Sequence, residues 1–203
     1  MKLIKIIFLL FVISFSFAQN KIKKEILLNE NKEVINLNQF NNKLKDKKYW
    51  YKISETDTTF TAKIVSREEE GILDSSKVES IKKEIENISK IKIDSTDIVI
   101  INFFLNPIKD PNGSCIDHYT SDGSYINFFK KKKNNHIKQV FITEKNYNYI
   151  KNKVYEDSEN IIKENCFEDA LPCGNYIIIY PDNSYKRKHG EYRQDLILNL
   201  LNK

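Results

Sequence analysis

The chain has 203 residues, a formal net charge of +5 and a hydrophobic fraction of 40%. Only five Gly and four Pro are present, so the composition excludes collagenous and disordered chains, and the length excludes a large multidomain enzyme. Its basic residues are 30 Lys and three Arg. Because bidentate recognition of phosphate is mainly Arg chemistry, the composition does not indicate nucleic-acid binding.

The N-terminus has the pattern of a secretory signal peptide. A positive segment at residues 1–5 precedes an apolar run at residues 6–17, and Ser16-Phe17-Ala18 fits a small-x-small cleavage site. The run is shorter than the roughly 17 to 25 residues of a membrane-spanning helix. We therefore expect cleavage after Ala18, no transmembrane segment after signal cleavage, and a periplasmic or secreted protein. Because two Lys leave with residues 1–18, the mature 185 residues carry a charge of +3.

Residues 19–96 are polar and loosely patterned, and we expect an N-terminal platform of a hairpin and helices. Strands are predicted at residues 50–53 and 60–65, around a turn at residues 56–58. The acidic run Glu68-Glu69-Glu70 before Gly71 is interpreted as a solvated turn.

One helix of this platform has a clear N-terminal signal. Ser76 and Glu79 have the spacing of a capping box, in which each side chain satisfies a backbone N–H group. Apolar residues then recur at helical spacing on one face: Val78, Ile81, Ile85 and Ile88.

Residues 97–203 have the pattern of an α/β domain. The apolar run at residues 98–105 is typical of a strand that is buried on both faces of a sheet. The elements predicted after it are a helix at 121–132, a strand at 138–143, a long helix at 145–166, strands at 175–180 and 185–189, and a helix at 191–201. The order is β-α-β-α-β-β-α, with a central mixed sheet flanked by helices.

That order resembles the thioredoxin-like fold. The residues that carry the resemblance are Ile100 to Phe104 before a loop, Cys115 within the loop, Pro172 ahead of Tyr176 to Tyr180, and the turn Tyr180-Pro181-Asp182-Asn183 that leads through Gly190 into the last helix. The resemblance implies that the loop at Cys115 stands where such proteins carry their active site, and that Pro172 is a candidate for the family's cis-proline. The usual redox chemistry needs two cysteines two residues apart at a helix N-terminus. Only Cys115 is present in this loop, so dithiol activity is not expected.

The three cysteines are Cys115, Cys166 and Cys173. In an oxidising compartment thiols tend to pair, and an odd number leaves one over. In a thioredoxin-like fold the loop and Pro172 approach each other, which implies a bridge from Cys115 to Cys173. A bridge from Cys115 to Cys166 and a pair of Cys166 with Cys173 remain alternatives, as does an inert Cys115 thiol.

Candidate catalytic chemistry centres on Cys115. Asp117 and His118 follow it and could polarise a thiolate, with Cys173 or Cys166 as the resolving thiol. No His or Cys pair has zinc spacing, and no phosphate-binding loop or nucleophile elbow is present. The sequence therefore implies no metal and no cofactor, and the Lys130–Lys133 run is interpreted as a solvated helix end.

Three functions fit these observations. The first is an exported thioredoxin-like protein without dithiol activity that binds a protein partner in the cell envelope, for which the aromatic run Tyr49-Trp50-Tyr51 supplies typical interface residues. The second is a thiol-dependent redox enzyme, monothiol or peroxidase-like, that uses Cys115. The third is a periplasmic immunity protein.

Overall fold

A computed structural model describes residues 23–106, 115–131, 136–147, 149 and 153–201. The signal peptide and the second half of the Lys130–Lys133 run lie outside the described residues, and α4 ends at Lys131. Contacts divide the chain into two units, a smaller one of Met1–Lys45 with Tyr51–Ile64 and a larger one of Asp46–Trp50 with Val65–Lys203. Among the described residues, no helix has the length and apolarity needed to cross a bilayer.

A mixed three-stranded sheet lies in the N-terminal part of the chain. Its strands are in the order β1-β3-β2, and β1 runs parallel to β3. Both strands predicted there are confirmed. The elements of this part are β1 (Lys24–Leu28), α1 (Leu37–Leu44), β2 (Tyr49–Glu55) and β3 (Thr59–Ser66).

Within the described part of the larger unit, six strands form a second mixed sheet, in the order β4-β9-β8-β5-β6-β7. Strands β5, β6 and β7 are parallel to one another, whereas β8, β9 and β4 continue from β5 in antiparallel pairs. The strands are β4 (Glu68–Ile72), β5 (Ile98–Phe104), β6 (Ile137–Glu144), β7 (Val154–Asp157), β8 (Asn175–Ile179) and β9 (Ser184–His189). The predicted central strand is confirmed, since all but the first residue of β5 is buried.

Helices cover both faces of this sheet, as expected for an α/β class. The helices are α2 (Ser75–Ser89), α3 (Cys115–Ser121), α4 (Gly123–Lys131), α5 (Ile161–Cys166) and α6 (Gln194–Leu201). Alternate residues of β5 point to opposite faces. Val99, Ile101 and Phe103 pack in one core cluster with α2 and α5, whereas Ile100 and Phe104 pack in the other with α3, α4 and α6.

The predicted apolar stripe of α2 is confirmed, but its predicted cap is wrong. Val78, Ile81 and Ile85 are buried, and Ile88 packs partly buried against them. The helix begins at Ser75 after Asp74, whose side chain makes no capping hydrogen bond. Because the helix starts one residue before Ser76, that hydroxyl lies inside the first turn rather than at the cap.

Two further predictions in the sheet region are wrong. The segment 145–166 is not one helix, because Val154–Asp157 adds β7 to the edge of the sheet beside β6, and among its described residues only the six of α5 are helical. The acidic run at Glu68–Glu70 is not a turn, because it pairs with β9 as strand β4. The predicted helix at 121–132 is confirmed as α4, Gly123–Lys131, and α3 precedes it.

Candidate functional site

A disulfide joins Cys115, the first residue of α3, to Cys173 in the loop before β8. The two Cα atoms are 5.3 Å apart, within the usual range for a bridge. Both residues are half-buried. Of the pairings that the sequence left open, this one is present in the structure.

Cys166 lies elsewhere. It is fully buried in the core cluster of α2 and α5, on the opposite face of the sheet from α3. Burial raises the pKa of the Cys166 thiol to about 12. The structure therefore does not bring Cys166 to Cys115, and this thiol has almost no thiolate at neutral pH.

Tyr119 of α3 fixes the loop that carries Cys173. The Tyr119 hydroxyl donates to the carbonyl of Cys173 at 3.2 Å and accepts from the backbone N–H of Tyr192 at 3.1 Å. Cys173 and Gly174 both have positive φ, +62° and +108°. Burial raises the pKa of Tyr119, so its phenol remains a donor at neutral pH.

Beneath this loop lies a buried network centred on Asn102 of β5. The hydroxyls of Tyr192 and Tyr125 donate to Asn102 Oδ1 at 2.5 and 3.5 Å, and Asn102 Nδ2 donates to the carbonyl of Val140 at 3.2 Å. The Tyr192 ring stacks on Tyr119, with centroids 4.6 Å apart. Because its polar atoms are satisfied, this network gives the site a rigid floor. The sequence analysis missed it, although a single Asn inside an apolar strand was a usable signal.

An open cleft of about 590 Å³ borders the disulfide. Tyr192 and Leu196 supply apolar surface, and Leu196 is 40% exposed. The charged and polar side chains that line the cleft are Arg67, His118, Lys188, Glu191 and Arg193. The cleft therefore combines apolar surface, a disulfide and a cationic rim.

Arg67 is held over the turn that follows β9. Its Nη2 donates to the carbonyl of Glu191 at 3.1 Å, and its Nε lies 3.5 Å from the carbonyl of His189. Its backbone N–H donates to Lys48 and its carbonyl accepts from His189. Among the residues that the structure describes, no carboxylate lies within 4 Å of this guanidinium.

The other predicted site residues have mixed outcomes. His118 borders the cleft, and its ring lies edge-on to Tyr119 with centroids 5.7 Å apart. Asp117 accepts a hydrogen bond from the hydroxyl of Tyr149 at 2.6 Å. Pro172 is exposed next to Cys173, and none of the described peptide bonds is cis. The prediction of a cis-proline at Pro172 is therefore wrong.

A second groove of about 670 Å³ adjoins the cleft, with Lys188 and Leu196 lining both. Residues of β4, β9 and α6 line it. Its lining includes the hydrophobic and aromatic side chains of Tyr49, Tyr176 and Leu200. We call these two adjoining depressions together the disulfide groove.

The fold and the site define a mixed α/β protein with a disulfide at the edge of an open groove. The chain matches no family model, no curated protein and no solved structure. Among the described residues, no three His, Cys, Asp or Glu side chains are grouped so that they could hold a metal ion.

Proposed function

We propose that this is an exported thioredoxin-like protein without dithiol activity, and that its disulfide groove binds a protein partner. The observation that carries the proposal is the groove itself, in which a half-buried disulfide, apolar and aromatic side chains and the Arg67 guanidinium lie over a rigid buried floor.

The strand order supports a thioredoxin-like core. Strand β5 pairs in parallel with β6, and α3 and α4 lie between them in sequence. The chain then passes through α5 to the antiparallel hairpin β8-β9 and ends in α6. This is the β-α-β-α-β-β-α order of the fold, with Cys115 on the first helix after β5 and with β4 and β7 as added edge strands. Export is inferred from the leader pattern, and a disulfide fits an oxidising compartment.

The chemistry of the groove supports protein binding. Tyr and Arg side chains, which line this partly exposed depression, are among those that contribute most to protein interfaces when buried. The Tyr192 and Asn102 floor is already packed and hydrogen-bonded in the free chain. Little ordering would be needed on binding, and this favours affinity.

Site-specific photo-cross-linking tests this function. A photoreactive phenylalanine analogue at Leu196, inside the groove, is expected to capture one protein stoichiometrically in the cells that carry the natural gene. The matched control is the same analogue at Ile72, which is 79% exposed at the end of β4 and does not line the groove. Equal products from both positions, or no product from Leu196, would contradict the proposal. A toxin as the captured protein would make the chain an immunity protein.

A second candidate function is thiol-dependent redox chemistry, favoured by the half-buried position of the bridge at the cleft. A thiolate of a substrate dithiol would attack one sulfur of the Cys115–Cys173 bridge, forming a mixed disulfide and releasing the other cysteine as thiolate. The second substrate thiolate would then displace the bound cysteine, so the substrate is oxidised to a disulfide and the bridge is reduced to two thiols.

Insulin or peroxide reduction by the wild type and the Cys115→Ser variant, with dithiothreitol as the dithiol that reduces the bridge and is itself oxidised, tests this candidate. Turnover that depends on Cys115 would support the redox function and count against a purely binding role. Equal background rates in the two proteins would reject it.

A further inference from the structure

The chemistry of the disulfide groove indicates what kind of segment it accepts. We propose that its occupant is an extended acidic segment of the partner protein, and that Arg67 binds one of its Asp or Glu carboxylates. This inference rests on the proposed binding function and adds the class of ligand and the residue that recognises it.

The first step concerns the state of Arg67. A guanidinium has five N–H donors arranged as a planar fork, and a carboxylate is the partner that matches two of them at once. Among the described residues, the hydrogen bonds of the fork go to the carbonyls of Glu191 and His189, and the second contact is long. No described carboxylate lies within 4 Å of the guanidinium, whose charge acts on Glu68 from a longer distance, and the side chain borders the cleft.

The second step concerns the neighbouring charges. Lys188 pairs with Glu68 across the β4-β9 ladder, and Arg193 pairs with Asp195 at 2.7 Å. These two cations are compensated. Glu191 also lines the cleft, but it engages Arg67 through its backbone carbonyl rather than through an ion pair. Arg67 is consequently the cation of this cleft that remains available to an incoming anion.

The third step concerns shape. The apolar surface of Tyr192 and Leu196 flanks Arg67 in the cleft, so a carboxylate bound there would have apolar neighbours. Lys188 and Leu196 also line the second groove, whose three glutamates are each paired with a cation of β9. Exposed Lys48 adds a cation there that has no carboxylate within 4 Å among the described residues. Successive side chains of an extended peptide point to alternate sides, so acidic and apolar residues can both be accommodated. An extended peptide fits this shape better than a compact anion.

Binding of two short blocked peptides to the full-length protein tests the inference. One peptide alternates glutamate with leucine and the other alternates glutamine with leucine, and titration calorimetry measures both affinities. We expect the glutamate peptide to bind roughly 10- to 100-fold more tightly, as the loss of a charge-assisted hydrogen-bonded pair implies. We expect R67M to remove this difference, and R67K to keep part of it because a lysine retains charge but not the fork.

The matched control is K83M. Lys83 is exposed on α2, which packs on the opposite face of the sheet, so this variant has the same net charge as R67M and should bind like the wild type. If R67M does not fold, the Arg67 Nε–H resonance of the wild type replaces it, and that resonance should shift with the glutamate peptide only.

Equal affinities for the two peptides, or unchanged binding in folded R67M, would overturn the inference. Acetate that binds as tightly as the glutamate peptide would overturn the peptide part of it. Cross-linking from Leu196 that persists in R67M would reject the Arg67 contact and leave the binding function standing, whereas no cross-link from Leu196 in the wild type would reject the binding function itself.

Discussion

Gly174 occupies a backbone conformation that only glycine adopts without strain. Its φ is +108°, and a Cβ at this position would lie 3.0 Å from three atoms of the Tyr119 phenol. Gly174→Ala therefore introduces both strain and a clash beside the disulfide. We expect the free energy of unfolding to fall by about 2 to 4 kcal/mol, measured by urea denaturation.

The control for this prediction is Gly123→Ala. Gly123 begins α4, and an added Cβ would meet only the end of the Asn127 side chain, at 4.0 Å. Replacement in a helix should stabilise the protein by up to about 1 kcal/mol. Similar losses from the two substitutions would contradict the role assigned to the Gly174 conformation.

Asn102 shows what a single residue can and cannot predict. It lies in the apolar run that identified β5, and an alternating strand places it on the face opposite Phe103. Its two tyrosine partners could not be predicted, because they are 23 and 90 residues away. Tyr125 of α4 and Tyr192, which precedes α6, reach Asn102 only after these helices have packed on the sheet.

At the scale of elements, the β4-β9 ladder carries three ion pairs in one register, and two of them differ clearly in burial. Glu69 faces Arg187 and Glu70 faces Lys186. Arg187 also donates to the carbonyl of Cys166, and its side chain is 17% exposed. The Lys186–Glu70 pair is 3.8 Å long, with exposed fractions of 45% and 79%. Only the first pair is sheltered from water.

Double-mutant cycles on the two pairs measure this difference. We expect a coupling energy of about 1 to 2 kcal/mol between Glu69 and Arg187, because partial burial and hydrogen bonding strengthen a charge pair. For Glu70 and Lys186 we expect less than about 0.5 kcal/mol. Equal couplings would show that burial does not distinguish the pairs.

Helix α2 carries a buried carboxyl that makes stability depend on pH. Glu84 is 5% exposed, and its pKa is raised by burial and by the nearby Asp157 carboxylate of β7. A raised pKa in the folded state means that this group favours folding most when it is protonated, at pH values below its unfolded pKa of about 4.3. That contribution is lost as the pH rises through the folded pKa.

Glu84→Gln should therefore raise the free energy of unfolding at pH 7, by of the order of 1 kcal/mol, and the gain should disappear as the pH falls towards about 4. Urea denaturation across this pH range measures it. Glu79→Gln is the control, since Glu79 is exposed on the same helix and should show little change. A gain that is constant with pH would contradict ionisation as the cause.

The elements that the sequence predicted are those with local signals. The burial of β5, the stripe of α2 and the hairpin β8-β9 follow from periodicity and turn residues. Strand β4 could not be predicted, because three consecutive glutamates become a strand only when β9, more than 100 residues later, supplies opposing cations. Strand β7 was missed for a related reason, since its pairing with β6 outweighs the helical pattern around it.

For the whole molecule, the candidate site could be predicted only in outline. The resemblance implied that Cys115 and Cys173 approach each other, and the structure contains that bridge. It gave no indication of Arg67, which belongs to the segment between β3 and β4 and reaches the site through contacts with residues 189 and 191. Such a residue is found only when the strand order is known, because no local pattern connects it to the cysteines.

The bridge is the covalent link between the α3 side of the larger unit and the loop before β8, across a sequence separation of 58 residues. In the chain-entropy description, closing a loop of this length restricts the unfolded chain by about 4 kcal/mol at 25 °C. The double variant Cys115→Ser with Cys173→Ser should therefore lose about 4 kcal/mol of unfolding free energy in urea denaturation. The wild type in excess dithiothreitol should approach the same value, while the variant should not respond to the reductant.

The free Cys166 is present in both proteins and serves as the internal control for thiol effects. If reduction leaves the wild-type midpoint unchanged although mass spectrometry shows three free thiols, the bridge does not stabilise the fold, and a redox role for it becomes the better explanation.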